Sequence, residues 1–306
     1  MQSACRAGQL LAQFRGRTKT PVAPALNIDR SRIFQFFKYS VYALLSLNIY
    51  LFFAEEWAAL GHRFADGMAL AEVIEAFAAS IDTGAWVVLL LMFELETYVL
   101  DDRHFTRRIT WTLHGLRAIC YIVIVYACYG YIVKLAFLDG TVPLPGVSDL
   151  CSLVDGSWSY AIDLDEYAIL TTANCGTFSA AGSFLQFPGL SAAVDQPGFV
   201  DIIRLAWVDV INATVWLLVV AVLEIDVRLQ ERQMLEGLAL RSSNLSKYVL
   251  YSLLFLAAVC WGIKGDFVDF WDAFLWLVAF VFIELNVFEW RQESADAGAL
   301  AASALR

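Results

Sequence analysis

The chain has 306 residues, 59% of them hydrophobic and 17% charged, with a net charge of −10 and a mean hydropathy of +0.61. That composition excludes an ordinary soluble domain, and the acidic balance excludes a nucleic-acid partner. Blocks of Leu, Phe, Trp, Val and Ile are long enough to cross a hydrocarbon layer about 30 Å thick, which takes roughly 20 residues, so the lipid bilayer is the first expected partner.

Residues 1–32 read as a basic arm, with Arg6, Arg15, Arg17, Lys19 and Arg30 against one acid, Asp29. Such an arm lies against anionic lipid headgroups. The alternative, an Arg-rich targeting peptide, lacks a compact apolar core followed by a small-residue cleavage site. Six spanning helices are predicted, at 33–54, 83–100, 117–137, 208–226, 247–264 and 271–289. None contains proline, so the broken half-helices that build many transporter sites are not predicted.

Basic residues set the orientation. Arg103, Arg107, Arg108 and Arg117 join helices 2 and 3; Arg228, Arg232, Arg241 and Lys247 join helices 4 and 5. With the basic arm on the same side, the positive-inside rule places both termini in the cytoplasm and the chain in the plasma (inner) membrane. The other face is acidic. From Asp139 to Asp201 there are eight acids and no Lys or Arg, and the first outer loop adds Glu55, Glu56, Asp66, Glu72 and Glu75 against Arg63. Residues 66–81 and 199–211 have apolar residues near helical spacing and are predicted to be amphipathic lead-ins to the helices that follow.

The stretch 139–200 is rich in Gly, Ser, Pro and Asp and is predicted to be a small irregular cap. A loop of that length needs something to fix it. Cys151 and Cys175 are the only cysteines on the outer face, where an oxidising compartment favours a disulfide. Closing that loop contributes about 3 kcal/mol by the chain-entropy estimate. Cys120, Cys128 and Cys260 fall within helices and read as small packing residues.

One frame occurs three times: Asp or Asn, three residues, Trp, seven residues, Glu. Its members are Asp82, Trp86 and Glu94; Asn212, Trp216 and Glu224; and Asp272, Trp276 and Glu284. The odd helices repeat as well. Each opens on a base with a tyrosine four positions on, Lys38/Tyr42, Arg117/Tyr121 and Lys247/Tyr251, and carries a charge seventeen positions after the base, Glu55, Lys134 and Lys264. Repeats of this kind take precedence over isolated motifs.

The predicted fold is therefore an all-α membrane protein of six transmembrane helices, arranged as three parallel-oriented two-helix repeats with an extracytoplasmic disulfide-stabilised cap. Residues 33–100 form the first hairpin, 101–226 the second with the cap at 139–200, and 227–306 the third with a cytoplasmic tail. Three hairpins of one orientation resemble mitochondrial carriers in plan, but the proline motif that ends the odd helices of that family is absent, which excludes membership.

At 1.5 Å per residue each frame glutamate lies about 18 Å from the residue that opens its helix, in the inner half of the core. An unpaired charge there costs about 2.5–3.5 kcal/mol, so pairing is expected: Lys38 with Glu94, Arg117 with Glu224, Lys247 with Glu284, each helped by its tyrosine. The sharper reading turns the glutamates toward a common axis as a cation-attracting or proton-accepting ring. Trp86, Trp216 and Trp276 read as packing or belt anchors before they read as pathway lining.

These residues point to a channel or transporter subunit for a cation or proton. The alternative is a non-catalytic structural or assembly subunit of a larger membrane complex, and a homo-oligomer or other membrane subunits are the expected protein partners. With three histidines and no nucleophile–base constellation, an enzyme is the least supported class, and no metal or cofactor is expected.

Overall fold

The computed structural model describes residues 30–63, 73, 76–95, 106–231 and 237–281. The chain divides into two units, Met1–Lys38 and Tyr39–Arg306. Of the first, residues 30–38 are described, and they form the opening turns of helix α1 (Arg30–Arg63). Helices α2 (Ala78–Glu94) and α3 (Arg107–Phe137) follow. Beyond the cap come α5 (Gln196–Glu231), α6 (Gly237–Lys264) and a last described helix, α7, at residues 267–281.

Among the described residues, four helices are long and apolar enough to cross a membrane: α1, α3, α5 and α6. The other two predicted spans correspond to α2 and α7; their remaining residues, 96–100 and 282–289, lie outside the described set. Large apolar side chains such as Phe36, Ile122, Tyr248 and Ile263 are exposed along these helices, as expected where lipid rather than water is the neighbour.

Two local devices hold the helix ends. Glu56 of α1 is only 2% exposed, and its carboxylate accepts the backbone N–H groups of Ala79 and Ser80 at 2.8 and 3.2 Å, along with the Ser80 hydroxyl. These are first-turn donors of α2, which have no partner inside the helix. At the end of α6, Gly265 takes a φ of +90°. The N–H groups of Gly265 and Asp266 both return to the carbonyl of Trp261, a left-handed stop that glycine makes without a Cβ clash.

The cap departs from the irregular cap that the sequence predicts. It holds a five-stranded sheet in the order β1-β4-β5-β2-β3. The strands are β1 (Val142–Pro143), β2 (Ser159–Ala161), β3 (Tyr167–Ile169), β4 (Phe184–Gln186) and β5 (Ala192–Asp195). All pairings are antiparallel except β2 with β5. Strands of two to four residues are too short to show a two-residue hydrophobic period, which needs four or more.

Alternation on β5 sorts the cap into two cores. Ala192 and Val194 pack with Leu138, Phe187 and Ile202 on the side of α5, and Ala193 packs with Leu150, Leu170 and Phe184 on the other. The second core contains Cys175, here in α4 (Cys175–Phe178), which is bonded to Cys151 across 4.9 Å between Cα atoms. The expected disulfide is present.

The sheet then runs straight into a helix. Asp195 ends β5, and its carboxylate accepts the Gly198 N–H at 2.7 Å as the cap of α5. The same oxygen accepts the Tyr160 hydroxyl at 3.1 Å. An Asp at that position satisfies a first-turn donor that would otherwise be unpaired. The predicted lead-in at 199–211 and the following span are thus one helix of 36 residues.

Candidate functional site

A chamber of about 40 Å³ lies between the helices, and the repeat frame lines it. The frame-opening residues Asp82, Asn212 and Asp272 are there, together with the tryptophans four residues on, Trp86, Trp216 and Trp276. Four residues are about one helical turn, which brings each indole next to the polar group above it. The three indoles touch one another, with ring centroids 5.8, 6.3 and 6.2 Å apart. Trp216 also packs on Phe280 at 4.7 Å.

A third matching set completes the lining: Phe52 of α1, Tyr131 of α3 and Trp261 of α6. Each stands fourteen residues after the base of its own helix, Lys38, Arg117 or Lys247. Polar valences in the chamber are only partly used. Asn48 donates to Asp272 Oδ1 at 2.8 Å. Asp82 Oδ1 and Asn212 Oδ1 are buried and have no hydrogen-bond partner among the described residues. An oxygen buried without a donor is costly, so both favour a guest that can donate.

A larger cavity of about 400 Å³ shares Phe52, Tyr131 and Asp269 with the chamber and lies at the cap end of the helices. Eight carboxylates line it. Glu55 and Glu56 come from the end of α1, Asp209 from α5, and Asp266 and Asp269 from the turn and helix after α6. Asp163, Asp165 and Glu166 come from the β2–β3 turn of the cap, where the Asp163 carboxylate accepts the backbone N–H groups of the other two at 2.7 and 2.6 Å. Asp209 and Asp269 each stand three residues before a frame-opening residue. The Asp209 carboxylate accepts the Trp261 indole N–H at 3.3 Å.

Lys134, buried in α3, meets Asp165 at 2.9 Å, and this bond ties the cap to the helices. Burial, reinforced by Asp165, pushes the Asp163 carboxyl up to about 7. Asp266 is raised too, again through burial first. Carboxyls crowded into a closed space hold protons more tightly than carboxyls in water.

The predicted glutamates stand in different surroundings. Glu94 is buried at the end of α2 and accepts the Tyr39 and Tyr42 hydroxyls at 3.0 and 3.4 Å. Glu224 is 44% exposed and sits 3.6 Å from Arg228 of its own helix. Glu284 lies outside the described residues. Among the bases, Lys38 is the last residue of the first unit. Lys247 bonds Asp226 at 2.7 Å, and Asp226 also accepts the Ser243 hydroxyl. Arg117 and Tyr121 lie on α3, and Tyr251 on α6 packs against Phe280 at 6.2 Å. The charges seventeen positions after the bases do three jobs: Glu55 lines the large cavity, Lys134 anchors the cap, and Lys264 bonds Asp201 at 2.6 Å.

Sequence reasoning read the tryptophans first as packing or belt anchors and only second as pathway lining, named the Asp/Asn set as frame markers, and missed Phe52, Tyr131, Asp209, Trp261, Asp266 and Asp269. An available signal was recurrence: an aromatic residue at one fixed distance from each base, and an acid three residues before two of the frame openings. No protein-family model, curated protein or solved structure matches the chain.

Proposed function

We propose that this protein is an integral membrane subunit that passes or carries a cation or proton, and that the cation arrives from outside the cell through the acidic cavity under the cap. The observation that carries the reading is the pair of adjoining cavities: eight carboxylates at the wide end, and the Asp/Asn–Trp layer at the narrow end. A recess of one sign in a low-dielectric wall concentrates ions of the other sign. Three parallel helical hairpins around an axis normal to the membrane account for equivalent residues from each hairpin meeting in one chamber. Both termini then lie in the cytoplasm, and the frame glutamates Glu94, Glu224 and Glu284 lie deeper, on the cytoplasmic side of the tryptophans.

The test is flux of potassium and protons into proteoliposomes of the purified protein. Asp82→Asn with Asp272→Asn is expected to lower flux about tenfold or more, and Glu94→Gln to lower it less. Full flux in the double variant would remove the proposed role of the chamber.

A second reading, a structural or assembly subunit of a larger membrane complex, is supported by the ties that lock successive elements together. These are Glu56 on the start of α2, Lys134 on the cap, and Lys247 on Asp226. Native mass spectrometry from mild detergent separates the two, since obligatory partner chains favour the scaffold.

A further inference from the structure

We propose that the two cavities together bind a linear aliphatic oligoamine, one ammonium head in the tryptophan chamber and the other ammonium groups among the carboxylates above. This rests on the cation reading and names its ligand class.

Size comes first. The larger cavity, at about 400 Å³, falls in the range of small-molecule sites, about 300–1,000 Å³, and is far too roomy for a bare ion. The chamber, at about 40 Å³, admits a head group and little more, since one water already needs roughly 10–15 Å³. Sharing Phe52, Tyr131 and Asp269, the two suit a ligand with a narrow end and a longer body.

The chemistry of the walls selects amines. An ammonium carries three N–H donors and no acceptor. The chamber offers the complement: the buried, unpartnered Oδ1 atoms of Asp82 and Asn212, and the carboxyl of Asp272. Three indoles surround them, and an indole face attracts a desolvated cation by about 2 kcal/mol or more. Among the described residues no three His, Cys, Asp or Glu side chains are grouped to hold a metal ion. Above the chamber, Ile202, Leu205 and Ala206 give the large cavity an apolar side between its carboxylates. Methylene stems lie along such a surface while their charged ends reach the acids, as lysine side chains do.

Full-length protein in lipid nanodiscs is titrated with spermidine, n-butylamine and potassium chloride, read by calorimetry and by intrinsic tryptophan fluorescence. Spermidine is expected to bind about tenfold or more tighter than either comparison cation and to change the fluorescence. Asp82→Asn with Asp272→Asn is expected to weaken spermidine about tenfold or more. Trp276→Phe, a milder change, is expected to weaken it several-fold. Spermidine binding no tighter than butylamine overturns the proposal even where a variant fails to fold, and so does binding that both variants leave unchanged. Potassium or proton flux without spermidine binding overturns the oligoamine and leaves the cation reading standing. Spermidine binding without flux of any cation supports the site and overturns transport.

Discussion

Glu56 carries three hydrogen bonds from the start of α2 while almost wholly buried, so its loss is a capping loss. Glu56→Ala is expected to cost about 1–2 kcal/mol, and Glu56→Gln less, because one side-chain acceptor remains. Thermal melting in detergent checks the order; an alanine variant as stable as the parent contradicts it. Asp163 makes the cap respond to pH. Its carboxyl is raised from the usual 3.8 to about 7. The folded state therefore binds the extra proton between those values, and the folding cost is complete only above about 7. Cap stability should rise as pH falls from about 8 to about 5. Asp163→Asn keeps an acceptor for the Asp165 and Glu166 N–H groups and should flatten that rise. Hydrogen exchange of β2 and β3 at several pH values measures it, and a cap that loosens toward pH 5 runs against the prediction.

Among the elements, the cap depends most on a covalent tie, since its strands are short and its two cores small. Replacing Cys151 and Cys175 by serine is expected to cost the cap about 3 kcal/mol while α3, α5 and α6 persist. Limited proteolysis should then cut within 140–198; a cap equally resistant without the bond would show that its cores suffice. The helices were legible in the sequence because each shows a long apolar block, and the disulfide because only two cysteines fall on the predicted outer side. The sheet was not, since its pairs join Val142 to Gln186 and Ser159 to Ala192, contacts that no local pattern encodes. The frame was legible and its emphasis was not. A glutamate in an apolar run draws attention through its insertion cost, whereas Trp86, Trp216 and Trp276 pass for belt residues until their rings are seen in contact. Phe52, Tyr131 and Trp261 were hidden for a related reason: aromatic residues recur by chance in apolar helices, so a fixed offset of fourteen had little weight alone.

For the whole molecule, the proposed topology sets the acidic cap outside and the α5–α6 connection inside. Ser183→Cys in the cap, exposed in the fold, should react with a membrane-impermeant maleimide on intact cells. Leu238→Cys, at a position 83% exposed, should react only after permeabilisation. The reverse pattern would invert the protein and with it the direction from which the cavity fills. The 36 residues of α5 span about 54 Å against a hydrocarbon core of about 30 Å, so this helix projects well beyond the bilayer. It begins at the residue after β5, with no linker between them. Mechanically it is a lever whose handle is the sheet. Asn212 and Trp216 stand along its shaft, so a tilt of the sheet and α5 as one body would carry both chamber residues with it. Gripping the cap from outside should therefore change the shape of a site that the gripping molecule never touches.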